Sequence, residues 1–243
     1  MSKSRQSRKT FKISDSLNRR LNTYAQVATA AGVSVLALAA PAEAEVVYTE
    51  TYQVTHTGAP LYIDLNHDGI NDFLLRTNFY VGTSGTDIGL SAWGCRNAEN
   101  LVAGARLSSS SGYFVSAAYA LRAGARIGPN GNFSVNFPFM VQEHFPRVGN
   151  QYSDLGPWAG EGNGVNDQYL GFKFVIDGEV HYGWARLSVT LGHQRQFDDV
   201  IGTLTGYAYE TAPNKAIIAG QTTSVDVTSP QSETLGGLAL GRK

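Results

Sequence analysis

Between residues 45 and 220, short runs rich in aromatic and β-branched residues alternate with clusters of Gly, Asn and Asp, and no stretch holds a helical period over several turns. This pattern predicts an all-β protein, an antiparallel β-sandwich of jelly-roll-like form, folded as a single domain over residues 45–220. A chain of this length can bury one sizeable core. The clearest local signal is a hairpin over residues 169–189, in which Asp177-Gly178 supplies the two-residue turn that suits twisted antiparallel strands. Counting outward from that turn pairs Phe174 with His181, Phe172 with Gly183, Gly171 with Trp184 and Tyr169 with Arg186. One face then carries Leu170, Phe172, Phe174 and Ile176, which should pack on a second sheet. The other carries Tyr169, Tyr182 and Trp184 with Lys173 and Arg186. Ser and Gly clusters over 82–89 and 108–112 predict long loops. The Ala-rich residues 116–123 predict a short helix ended by Gly124, followed by a turn at Pro129-Asn130-Gly131.

One polar cluster has the spacing of a cation site. Asp64, Asn66 and Asp68 stand at the first, third and fifth positions of a loop, Gly69 follows for the sharp turn, the Ile70 carbonyl can contribute, and Asp72 closes directly or through water. An EF-hand would carry a bidentate Glu at position twelve, where this chain has Leu75. The flanks, Leu61-Tyr62-Ile63 and Phe73-Leu74-Leu75, read as strands, so the loop resembles the calcium loops of FG-GAP and similar repeats. The resemblance covers about nine residues in one copy, which does not make a propeller of repeated blades. The competing reading is a tight polar turn, in which Asp and Asn side chains bond their own backbone. Calcium is the cofactor expected here, because three carboxylates at this spacing would repel one another in an empty loop.

Residues 1–44 read as an export leader: seven Lys or Arg precede an apolar stretch over residues 27–40, and Ala42-Glu43-Ala44 offers small residues for cleavage after Ala44. That stretch falls short of the roughly twenty residues a spanning helix needs, so no stable membrane span is expected in the mature form. Seven of the 19 basic residues but only two of the 20 acidic ones lie in the leader, which leaves 12 against 18 and a formal net charge of −6. Nucleic acid, which demands a basic face, is excluded as a partner. The lone cysteine, Cys95, cannot form an internal disulfide and is expected to pack as a small apolar residue. Residues 221–243 are expected to form a flexible tail, with Ser229-Pro230, a short apolar run and a basic end.

Two features bear on binding and catalysis. The row of Tyr169, Tyr182 and Trp184 beside Lys173 and Arg186 is a candidate ligand face, since flat rings stack on sugars while cations donate hydrogen bonds; aromatic cross-strand pairs also stabilise sheets with no ligand at all. Candidate acid and base groups are Glu143 and His144, followed by Asp154, Glu161 and Asp167 in a Gly-rich stretch. Two of these carboxyls at a defined separation would be needed for glycoside hydrolysis. The chain has no nucleophile elbow, no His-Glu-x-x-His helix and no phosphate-cradling Gly loop, and catalysis is not expected.

The segments Tyr169-Leu170-Gly171-Phe172-Lys173-Phe174, His181-Tyr182-Gly183-Trp184-Ala185-Arg186-Leu187 and Leu204-Thr205-Gly206-Tyr207-Ala208-Tyr209-Glu210-Thr211, with the leader ending Pro41-Ala42-Glu43-Ala44, resemble an uncharacterised family of secreted bacterial proteins related to those with PEP-CTERM sorting tails. The resemblance implies secretion and transfers no activity; the tail here departs from the family pattern in lacking a full Pro-Glu-Pro motif. The expectation is a secreted, non-catalytic β-sandwich with a structural calcium loop, at the cell surface or outside the cell. Its partner would be an extracellular polysaccharide or a surface protein. The alternatives are a lectin-like carbohydrate binder using Tyr182 and Trp184, and a secreted glycan hydrolase.

Overall fold

The computed structural model describes residues 44–95, 99–108, 114–134, 138–149, 151–194 and 199–224; the expected leader up to residue 43 and the expected tail from 225 on lie outside the described residues. Among the described residues the chain is nearly all strand, with no α-helix. In chain order the strands are β1 (Val46–Thr55), β2 (Leu61–Ile63), β3 (Phe73–Val81), β4 (Gly85–Gly94), β5 (Leu101–Ser108), β6 (Phe114–Ala118) and β7 (Arg126–Ile127). There follow β8 (Phe133–Ser134), β9 (Phe139–Pro146), β10 (Ser153–Leu155), β11 (Val165–Ile176), β12 (Glu179–Leu191), β13 (Val200–Glu210) and β14 (Ile217–Ile218).

Hydrogen bonding runs without a break through β1, β13, β12, β11, β5, β6, β9, β4, β3 and β2, with β8 added to β5 and β10 to β9. The pairing is antiparallel except between β6 and β9. β5 is the joint: it bonds β11 through Val102 and Leu101, and β6 from Gly104 to Ser108. The path curls until its two ends meet, where the Thr49 hydroxyl of β1 lies 2.8 Å from His67 Nε2 just beyond β2. Its two halves face each other across the core. Phe73 of β3 stacks on Phe172 of β11 at 4.0 Å, surrounded by Leu61, Ile63, Leu75, Leu90, Leu170 and Leu187.

The β11–β12 hairpin has the register counted from its turn, from Ile176 opposite Glu179 to Tyr169 opposite Arg186. Asp177 and Gly178 both take positive φ, 50° and 85°, as this turn requires. Leu170, Phe172 and Phe174 are buried in the main core, with Ile176 packed against it.

The opposite face of the hairpin is also covered. Tyr169, Tyr182 and Trp184 are only 7%, 3% and 1% exposed. They form a second core with Val46, Ile127, Ile217 and Ala219, roofed by the two-stranded sheet of β7 and β14. Trp184 meets Tyr169 edge-on at 5.2 Å and Tyr48 at 5.8 Å. Gly171 lets this roof settle, since a Cβ there would meet Leu121 at 3.1 Å and Ile127 at 3.3 Å. Arg186 is engaged by Thr205, its Nε donating to Oγ1 at 2.8 Å. The three rings of the candidate ligand face are therefore internal packing groups, while Lys173 and Arg186 are partly exposed.

Three further expectations are corrected. Residues 82–89 are not one long loop, because β4 begins at Gly85 and only residues 82–84 form the turn. Gly85 is required by contact: a Cβ there would fall 2.1 Å from the Phe145 carbonyl oxygen of β9. The expected helix over 116–123 is instead the end of β6, where the small side chains of Ala117 and Ala118 are buried, followed by a bridge from Leu121 to Tyr169. Cys95 is exposed. The turn at Pro129-Asn130-Gly131 is present, closed by the Gly131 amide on the Gly128 carbonyl, while residues 109–113 lie outside the described residues.

Trp184→Ala tests the internal role of the aromatic face. Loss of a buried ring should lower unfolding stability by about 3 to 5 kcal/mol in urea titrations, whereas an exposed ligand-stacking ring would change it by less than about 1 kcal/mol.

Candidate functional site

Two clusters of polar groups stand at the rims of this frame. The first is the 64–72 loop joining β2 to β3. Asp72 N–H donates to the Ile63 carbonyl at 2.8 Å, closing the loop's neck. Asp72 Oδ2 accepts the Leu65 amide at 2.9 Å, and its Oδ1 and carbonyl oxygen accept from Asn100 Nδ2. Both carboxylate oxygens of Asp72 thus have partners, and these bonds hold the neck of the loop. Loss of water raises its pKa above the usual carboxylate range, opposed by the Leu65 and Asn100 hydrogen bonds and reinforced by the negative charges of Asp68 and Asp64.

Within the loop, Asp64 Oδ2 accepts the Gly69 amide at 2.9 Å, Asp68 Oδ1 accepts the Ile70 amide at 2.8 Å and Asp68 Oδ2 accepts from Asn66 Nδ2 at 3.1 Å. These are the self-bonds of a polar turn. Two oxygens are left over: Asp64 Oδ1 and Asn66 Oδ1 are out of contact with solvent and have no hydrogen-bond partner. They belong to the first and third positions of the loop. The Asp64, Asp68 and Asp72 carboxylates do not draw together into a cluster of three.

The second cluster was only half visible in the sequence. Along β9, Val141, Glu143 and Phe145 alternate inward, so Glu143 occupies a core position and is fully buried. Antiparallel pairing places Asp154 of β10 directly opposite Glu143. The chain leaving β12 adds His193, whose Nε2 lies 3.2 Å from Glu143 Oε1 and 3.1 Å from Asp154 Oδ2. The His193 amide also donates to Glu143 Oε1 at 3.3 Å. This residue sits at φ 57°, a left-handed conformation uncommon for a non-glycine. Tyr152 stacks on the imidazole at 4.1 Å and 20°, fixing the plane of the ring.

Of the other expected acid–base residues, Glu161 lines a cavity of about 670 Å³ beside this cluster, together with Tyr152, Asp154, Pro157, Asn163 and His193. His144 faces away from Glu143 and bonds Asp87 at 2.7 Å. Asp167 is exposed and stands 4.0 Å from Arg186. Sequence reasoning missed His193 because it lies fifty positions from Glu143; the alternation Val141-x-Glu143-x-Phe145 was the one local sign that Glu143 points inward.

Burial lifts the Glu143 carboxyl to about 7; the nearby His193 opposes this, and the charges of Asp199 and Asp154 add to it. A carboxyl at that value exchanges its proton near neutrality. Glu143 has no open surface of its own, so any molecule in the cavity meets Asp154 and His193 first.

Comparison with models of known families, with curated proteins and with solved structures finds no match.

The Glu143 value carries a signed pH dependence. The folded protein holds its proton up to about 7 while the unfolded chain releases it near 4.5, so stability falls as pH rises through this window, by roughly 3 kcal/mol in all. Glu143→Gln keeps an acceptor for the His193 amide and should flatten that slope, leaving the variant more stable than the wild type at pH 8 in chelator. Parallel stability curves for the two proteins would contradict the assignment.

Proposed function

We propose that this chain is a secreted, non-catalytic β-rich protein whose 64–72 loop takes up calcium, and that its role is contact with an extracellular polysaccharide or a surface protein. The observation that carries the calcium reading is the pair of unpartnered inward oxygens, Asp64 Oδ1 and Asn66 Oδ1. A polar turn explains the hydrogen bonds that the loop makes to itself but leaves these two acceptors at a cost of about 1 to 3 kcal/mol each. A hard cation that takes oxygen ligands relieves both and offsets the mutual repulsion of three carboxylates. Asp64, Asn66 and Asp68 would be its side-chain ligands with the Ile70 carbonyl. Asp72 would act on the ion through its charge and by holding the neck. Secretion is supported by the basic, then apolar, then small-residue order of the leader, and by the excess of acidic over basic residues beyond residue 44.

The facing halves of the sheet, joined through β5, support a sandwich as the finer description of the fold. A lectin role on Tyr182 and Trp184 loses its basis because both rings are internal. A glycan hydrolase using Glu143 as general acid is disfavoured as well, because that group must touch the glycosidic oxygen and Glu143 does not reach the cavity.

Thermal unfolding in EDTA and across a calcium titration tests the loop. The midpoint should rise and saturate, with a dissociation constant of about 0.1 to 1 mM and a gain of about 1.4 kcal/mol at ten times that value. Asp64→Ala should abolish the rise. An unchanged midpoint, with Asp64→Ala no less stable than the wild type, would reduce the loop to a polar turn.

A further inference from the structure

We propose that Glu143, Asp154 and His193 form a second metal site, built for a first-row divalent ion of the zinc type and open on one side to the cavity. It shares no residue with the 64–72 loop and does not depend on the calcium reading. The proposal starts from an imbalance of donors and acceptors. Two carboxylate oxygens, Glu143 Oε1 and Asp154 Oδ2, converge on one imidazole nitrogen at 3.2 and 3.1 Å. One N–H cannot point at both.

The other two carboxylate oxygens, Glu143 Oε2 and Asp154 Oδ1, are buried with no partner. Glu143 has no exposed surface and Asp154 only 9%. With both carboxyls ionised, four acidic oxygens share one ring nitrogen and one backbone amide as donors. A single cation bound among them satisfies the carboxylates and takes the imidazole lone pair.

The geometry fits such an ion. With bonds of about 2.0 to 2.1 Å, neighbouring ligands of a tetrahedral zinc lie about 3.3 Å apart. The two imidazole–carboxylate separations are close to that edge, and one donor atom from each of the three residues falls within 4.8 Å of the others. The supports are rigid: Glu143 and Asp154 are held by the β9–β10 register, and His193 by the stacked Tyr152 ring. The donor set decides between metals. One imidazole with two carboxylates suits zinc, manganese or ferrous iron, whereas calcium prefers oxygen alone. Three protein ligands leave a further coordination position, and the ligands that line the cavity, Asp154 and His193, turn that position toward it. Water or another small oxygen donor would complete the shell from there.

Calorimetric titration of the chelator-treated full chain with zinc chloride tests the site, with cobalt(II) absorption in the visible as a report on coordination. One equivalent of zinc should bind, and cobalt should give the intense bands of a four- or five-coordinate ion. Asp154→Asn and His193→Gln should each weaken zinc binding by more than the roughly 10- to 100-fold that loss of an outer-shell partner costs, with circular dichroism unchanged. Asp64→Ala should leave it intact. Because Glu143 does not line the cavity, the decision rests on Asp154 and His193, which do. Absence of zinc binding would overturn the proposal, and so would zinc binding that neither variant weakens or that Asp64→Ala removes.

Discussion

A hairpin whose two long strands carry large apolar and aromatic side chains on both faces has to be covered twice, and the arrangement of the molecule derives from that requirement. Phe172 and Phe174 on one face are roofed by β3, β4 and β9, with Phe73 stacked directly on Phe172. Tyr182 and Trp184 on the other are roofed by the β7–β14 pair and the start of β1. Each buried aromatic removes about 150 to 250 Å² from water, so covering both faces of the hairpin contributes a large hydrophobic driving force. The bending of the sheet at β5 brings the second half of the path over the first face, and the chain beyond β13 returns as β14 to help close the second.

A frame of this kind fixes backbone positions closely, and the polar groups at its rims inherit that precision. Asn100, just before β5, shows the coupling: its Nδ2 holds Asp72 at the neck of the 64–72 loop while its Oδ1 accepts the Val175 amide of β11. The loop is thereby tied to the central hairpin. The second cluster is set by strand register on one side and by the end of β12 on the other. At both places the frame buries acidic oxygens without giving them enough donors. A protein that folds only by its core gains nothing from such groups, because an unpaired buried acceptor costs more than an ordinary hydrogen bond returns. The two cations proposed above would supply a physical reason for the groups to be there.

Features with local causes were legible in the sequence. The Asp177-Gly178 turn determined the pairing of the hairpin residue by residue, and the 64–72 loop lies between two strands as its apolar flanks implied. What escaped was settled by distant chain. The Ala-rich segment pairs as β6 because its small side chains fit under a bent sheet, which helix propensity does not see. Gly85 at the start of β4 looked like loop punctuation but permits close approach of the Phe145 carbonyl. The aromatic face looked open because its roof consists of two-residue strands, too short to carry any periodicity. Two of the three residues of the second cluster, Glu143 and Asp154, were present among the acidic candidates, but only the folded register selects that pair and adds His193.

The central claim is that an oxygen-lined loop at the edge of this frame holds a calcium ion, and a crystal structure grown in calcium, examined by anomalous difference density, tests it most directly. The account predicts a peak about 2.3 to 2.6 Å from Asp64 Oδ1 and Asn66 Oδ1. A loop ordered as described, with flat anomalous density and a water or nothing between those oxygens, would contradict it.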